Sequence, residues 1–233
     1  MNSVSNPNDS GMSVSERIKY RVKQSGKGFF ANDSIAEFIE PGELDALIEE
    51  IATKYQSVLR SMVIDVDNDH NTKETAKRVA KMFVNELYSG RFNPLPEVTS
   101  FPNEKRLDQL YIVGPITVKS TCSHHMVPII GKAFVGILPG DTLCGLSKFS
   151  RVVDHVMRRP QIQEEATMQI ADKIMEIANP KGVAVIIKAN HMCMQLRGVE
   201  EPNSFHTTSE MRGSFLEHAA LKQEFLSLIS KEL

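Results

Sequence analysis

The sequence predicts an α+β protein with a helical front piece, and three observations carry that reading. Apolar residues recur at helical spacing within the first hundred positions. Two apolar, β-branched segments, YIVGPITVKS from Tyr111 and KAFVGILPG, then flank a Cys/His-rich connection, as two antiparallel strands would. Helical spacing returns on either side of Pro160, so strands and helices share the second half of the chain.

Taken in order, residues 1–33 hold Asn, Ser, Gly, Lys and Asp with few apolar residues, which predicts a mobile arm. From Pro41, placed in a first helical turn, Leu44, Leu47, Ile48, Ile51, Tyr55, Val58 and Leu59 form one apolar stripe. A second helix is expected from Thr72 as its N-cap, through Ala76, Val79, Ala80, Phe83, Val84 and Leu87, to Gly90 as its C-cap. The two prolines of RFNPLPEV make it a linker, so residues 34–100 are a helical part with linker and 101–233 the main domain. Beyond the two strands, Phe149, Val152, Val153 and Val156 predict a helix. Ile162, Ala166, Ile170, Ile174 and Ile177 predict another, unless Pro160 merely kinks a single one. GVAVIIKANHMCMQLRGV reads as a strand entered through NPKG, and Ser214–Leu233 as a terminal helix.

Composition narrows the function. The chain has 233 residues, enough to bury a core without disulfides, and its three cysteines are too few and scattered for a disulfide framework. Lys+Arg 27 against Asp+Glu 29 leaves a net charge of -2, which argues against bulk attraction to nucleic acid. No apolar run is long enough to span a bilayer and the start MNSVSNPNDSG lacks a signal-peptide core, so a cytoplasmic protein is expected.

The densest chemistry lies in Cys122-Ser123-His124-His125 and in His191-Met192-Cys193. Alternate residues of a strand share a face, so His191 and Cys193 are expected to project together. Cys122 and His125 stand three apart, a spacing that lets a tight turn present both to one ion. Two thiolates and one imidazole would hold Zn²⁺ and leave a fourth position for water. The alternative is a closed structural site completed by His124 or His191. Cys144 reads as a packed thiol. His70, His155, His206 and His218 read as surface residues, and so does the pair Arg158-Arg159.

A cationic group follows: Lys148 and Arg151 on one face near a helix start, with Arg197 after Cys193. Such a start favours anions, although Lys and Arg on a helix are equally the mark of a solvated face. Gln161, Gln163, Glu164 and Glu165 read as a polar helix start.

With these residues in view, the chain resembles the GTP cyclohydrolase I family from about Thr72 to the C-terminal helix. The resemblance is carried by STCSHHMVPIIGKAFVGILPG, GLSKFSRVVD, RRPQIQEE, HMCMQLRGV and TTSEMRG in that order. It implies the tunnelling fold, a small antiparallel sheet with helices on one face, assembled as pentameric rings stacked into a decamer with sites at subunit interfaces. It implies zinc on Cys122, His125 and Cys193, and catalysis by His124 and His191. Lys148, Arg151 and Arg197 would hold a triphosphate, with Ser147 near the ribose, while Glu164 and the adjacent Gln163 anchor guanine. The implied reaction opens the imidazole ring of GTP at C8, releases formate and rearranges the ribose to 7,8-dihydroneopterin triphosphate. Ser123 stands where the family usually has an acidic residue. Two other functions are consistent with the same residues: a divergent purine cyclohydrolase with a formamidopyrimidine product, and a non-catalytic, zinc-stabilised binding oligomer.

Overall fold

The computed structural model describes residues 11–97 and 99–232. The first ten residues of the expected arm and the last residue of the expected terminal helix lie outside that range. The chain divides into two compact units, Met1–Pro94 and Leu95–Leu233.

In the first unit, the second half of the expected arm is a helix, α1 (Val14–Gln24). Its apolar residues are few but fall four apart, and Val14, Ile18 and Val22 are all buried in one cluster with Ile35 and Leu47. Ser13 and Glu16 close a reciprocal capping box at its start. The helix expected from Pro41 is α2 (Glu43–Ser61). It begins two residues later because Gly42 adopts a left-handed conformation, leaving Pro41 outside the first turn. Glu43 is buried at its N-terminus and pairs with Arg17 and Arg21 of α1, so the carboxylate does not enter the interior alone. The next helix, α3 (Thr75–Lys81), starts three residues after Thr72 and runs into a wider π-type turn over Met82–Leu87. Gly90 is not its cap. It lies inside a further short helix, α4 (Ser89–Phe92).

The second unit is built on a five-stranded sheet. Its strands are β2 (Tyr111–Cys122), β3 (Pro128–Leu138), β5 (Pro160–Gln161), β6 (Gly182–His191) and β7 (His206–Gly213), in the order β5-β2-β3-β6-β7. All neighbours are antiparallel except β2 and β5. A separate two-stranded ladder joins β1 (Ser100–Pro102) to β4 (Thr142–Cys144). Two long helices, α5 (Leu146–Met157) and α6 (Gln163–Ala178), cover one face of the large sheet, and Pro160 separates them by opening β5. The strand alternation is complete: Val183, Val185, Ile187 and Ala189 of β6 face these helices, while Ala184 and Ile186 face the other way. Each large aliphatic so buried contributes roughly 1.5–3 kcal/mol.

The terminal helix is in fact two, α8 (Ser214–Glu217) and α9 (Ala219–Ile229). Their Phe215, Phe225 and Ile229 pack on Phe134, Ala184 and Ile186, giving the reverse face a smaller core of its own. Strand β7 was absent from the sequence expectation, because His206–Gly213 carries only one buried apolar side chain, Met211.

Two residues expected at the surface are not there. Arg159 is buried, and its carbonyl accepts a 3.1 Å hydrogen bond from the Ser120 hydroxyl. His155 is half-buried on α5, where burial first, and then the charges of Arg159 and Lys173, push its imidazole down to about 4. Its protonation is therefore disfavoured in the folded state relative to the unfolded one, whose value is near 6.5. Stability held above pH 6.5 is lost as pH falls from 6.5 towards 4. Denaturant titrations of wild type and His155→Leu should diverge across that window, with the variant showing the shallower loss; parallel curves would show that His155 is not the group responsible.

Candidate active site

The two chemically dense segments meet at one end of the large sheet. Cys122 is the last residue of β2, and the turn behind it is tight: the Cys122 N–H donates to the Val127 carbonyl at 2.9 Å and the Met126 N–H to the Cys122 carbonyl at 2.8 Å. Met126 takes a left-handed conformation to close this turn. On the other side, β3 pairs with β6 so that Ile129 stands opposite His191. The strand expected to carry both His191 and Cys193 ends at His191, and Cys193 sits in a helical turn, α7 (Met192–Gln195). Strand alternation is thus not what directs Cys193; the helical turn brings its thiol back towards Cys122. The ligand atoms of Cys122, His125 and Cys193 lie within 4.8 Å of one another, close enough to hold one metal ion. Burial, and then the neighbouring Cys122 thiol, push the Cys193 thiol up.

A pocket of about 280 Å³ opens beside this group. Cys122, Cys193, His124, His191 and Glu164 line it, together with Gln161 at the end of β5 and Gln163 at the start of α6. His124 sits with Nδ1 3.7 Å from the Cys122 sulfur. Ser123 is tied into the turn by its N–H, which donates to the Gln161 carbonyl at 3.0 Å.

Gln163 stands next to Glu164 in the first turn of α6. It is fully buried, and its Nε2 donates at 3.1 Å to the carbonyls of Ile187 and His206 and to the Thr208 hydroxyl. Carbonyl oxygens only accept, which fixes the amide: Oε1 must face His191 and accept from its Nε2, 2.8 Å away. His191 is therefore held with a proton on Nε2, and Nδ1 is the nitrogen left for other work. Burial, and then the adjacent His206, push its imidazole down. Gln161, also buried, donates to the Val156 carbonyl at 2.6 Å and leaves its Oε1 without a partner, an acceptor in the pocket wall.

Glu164 is exposed at the α6 N-terminus, where its own backbone N–H, and then the His206 side chain, hold its carboxyl below the usual range. His206, expected at the surface, in fact lines the pocket at the first position of β7. Its place depends on a strand the sequence did not reveal. Arg197 approaches from the α7 side and donates to His125 Nε2 at 2.9 Å. Ser147, Lys148 and Arg151 lie in the first two turns of α5 and do not line this pocket; Lys148 Nζ donates instead to the Glu97 carbonyl at 3.0 Å.

Comparison with known proteins identifies the family. The sequence pattern of GTP cyclohydrolase I matches residues 51–230. The chain belongs to the GTP cyclohydrolase I family. A GTP cyclohydrolase 1 of Actinobacillus pleuropneumoniae serotype 5b is 40% identical over 188 residues, 80% of this chain and 86% of that one. Its counterpart in Chromohalobacter salexigens is 39% identical over 185 residues, 78% of this chain and 99% of the relative. That of Gloeobacter violaceus is 38% identical over 203 residues, covering 85% and 90%. Among solved structures, the apo archaeosine synthase QueF-Like aligns at 15% identity with a TM-score of 0.35, covering 51% of this chain and 96% of its own. As a member of the GTP cyclohydrolase I family the chain is an enzyme, and its α+β architecture is that family's tunnelling fold. No helix among the described residues is long and apolar enough to cross a membrane.

If Cys122, His125 and Cys193 hold a metal, removing one thiolate leaves two donors, too few to retain it against chelation. Cys193→Ser should lose bound metal on dialysis against a chelator while Cys144→Ala, a buried thiol outside the cluster, keeps a full equivalent by elemental analysis. Equal metal content in both would remove Cys193 from the ligand set.

Proposed function

We propose that this enzyme hydrolyses GTP with the help of zinc, opening the imidazole ring at C8, releasing formate and yielding 7,8-dihydroneopterin triphosphate. The observation that carries the proposal is a Cys-His-Cys donor group at a pocket lined by three further histidines, His124, His191 and His206, and by the Glu164 carboxylate. The donor chemistry fits the ion: two thiolates and one imidazole suit zinc and leave a fourth position open. Zinc, when bound, would supply Lewis-acid activation of a water for attack on the purine.

The chain's own groups divide the remaining work. Glu164, ionised and acceptor-only, suits the N1–H and 2-amino donors of guanine, which present two parallel N–H bonds to a carboxylate. Gln163 does not touch the base in this reading; it holds His191 with Nε2 protonated, so that Nδ1 exchanges a proton with the purine. His124, in the pocket wall with Nδ1 3.7 Å from the Cys122 sulfur, serves as the second acid-base group. Arg197 offers a fixed fork of donors to phosphate oxygens at the metal end of the pocket.

Ser147, Lys148 and Arg151 belong to the triphosphate and ribose in the same reading, yet they lie away from the pocket of a single chain. Assembly resolves this: in a homo-oligomer, a decamer of two pentamers, a neighbouring copy would supply what one chain leaves apart. The zinc-stabilised binding oligomer would require a fully occupied shell, and the turnover measurement below separates it from catalysis.

Purified protein loaded with zinc should release formate from GTP and develop pterin fluorescence. His191→Ala and His124→Ala should keep the metal and lose turnover by the order of 10² or more expected for an acid-base group. Undiminished turnover in both would overturn the acid-base assignment. A second expectation concerns charge: wild type should prefer GTP strongly over guanosine, and Arg197→Ala should lose most of that preference. An unchanged ratio would place the phosphates elsewhere.

A further inference from the structure

The start of β7 is fastened to the start of α6 at two points. The His206 carbonyl accepts from Gln163 Nε2 at 3.1 Å, and the His206 side chain places Nε2 3.1 Å from Glu164 Oε1. Its ring also stands edge-on to that of His191, with centroids 5.6 Å apart and planes at 81°. These contacts come from a ladder in which Ala189 is paired with His206, so the ring enters the pocket from the strand beside the one that ends in His191.

The ion pair does little for stability, because both side chains are well exposed, His206 at 41% and Glu164 at 62%. What the contact does is geometric. Glu164 is a long side chain with a terminal torsion free to turn, and one of its oxygens is pinned by a donor on a strand that the buried Gln163 amide holds in place. We propose that His206 is a specificity-determining positioning residue: its Nε2–H orients the Glu164 carboxylate for two-point recognition of a purine carrying both an N1–H and a 2-amino group. The proposal rests on the reading of Glu164 as the guanine anchor given above.

The polar contact of the His206 ring is with Glu164, while Nε2 of His191 is taken by Gln163, so the loss of His206 should be read in the choice between bases. A flexible carboxylate still accepts one hydrogen bond from a base, but it must be ordered on binding before it accepts two. The discriminating pair of substrates is therefore GTP and inosine triphosphate, which lacks the 2-amino group. Glutamine at position 206 places an N–H donor the same number of bonds from Cα as imidazole Nε2, and alanine places none.

The experiment measures KM and kcat for GTP and for inosine triphosphate in zinc-loaded wild type, His206→Ala, His206→Gln and Glu164→Gln, with calorimetric affinities for both nucleotides alongside. His206→Ala should lower the preference for GTP over inosine triphosphate about five-fold, the order of one net hydrogen bond, in the ratio of kcat/KM and in the ratio of affinities, since any effect through the adjacent His191 ring falls on both nucleotides alike. His206→Gln should restore most of it. A wild-type preference in His206→Ala would overturn the proposal, and so would an equal loss in His206→Gln, since the ring and not the donor would then be what matters. Glu164→Gln distinguishes the two levels of the argument: it should abolish the preference, and if it does not, the anchor reading itself fails whatever the His206 variants do.

Discussion

The register of β3 against β6 is the constraint from which the site follows. Ile129 opposes His191 at one end of a ladder that runs to Leu138 opposite Gly182, and the tight turn from Cys122 to Val127 leads directly into β3. Two segments far apart in sequence therefore finish at the same end of the sheet, one carrying Cys122, His124 and His125, the other His191 and Cys193. A slip of one residue would turn His191 to the opposite face and exchange Val183, Val185 and Ile187 with Ala184 and Ile186 between the two cores. Small residues guard that register. A side chain at Gly131 would bring Cβ within 2.2 Å of the Lys188 carbonyl, so the two strands approach there only because the position is glycine.

Around this frame a small number of buried polar groups carry orientation inwards from the helices. Gln163 and Thr167 are buried at the start of α6, and Thr167 bonds both the Gln163 carbonyl and the Thr208 hydroxyl at 2.6 Å. The cost of burying these groups is offset because nearly every polar atom has a partner, and the partners lie on β6 and β7. The result is a rigid link between a helix start and two strand ends, with His191 attached to it through Gln163. A side chain at a strand end such as His191 would otherwise be poorly fixed, since element ends make fewer packing contacts than their middles.

Much of this was legible in the sequence where periodicity is strong. The stripe of α5, the alternation of β6 and the paired strands around the Cys/His connection are set by apolar burial, which leaves its period in the residues themselves. Helix α1 was not legible by that route, because three apolar residues among many polar ones fall short of a pattern. The Ser13-Glu16 capping box was the signal that could have found it. Strand β7 lies at the edge of the sheet with a single buried apolar residue, so nothing in HTTSEMRG betrays it, and with it went the position of His206. Spacing alone groups Cys122, His125 and Cys193 as candidate metal donors, but a helical turn and not strand alternation returns Cys193 to Cys122.

The placement of Gln163 depends on surroundings that the residue type alone does not disclose. An amide beside a carboxylate at a helix start reads as a pair of base-recognition groups, since both supply the hydrogen bonds a purine edge would need. In the folded chain the two are divided by burial. Gln163 points inwards, where its amide is consumed by two carbonyls, a hydroxyl and an imidazole, while Glu164 points outwards to the pocket. Adjacent positions in the first turn of a helix are about 100° apart around its axis, so one can enter the core as the next faces solvent. The same turn thus holds the His191 ring through Gln163 on its inner side and turns the Glu164 carboxylate to the pocket on its outer side.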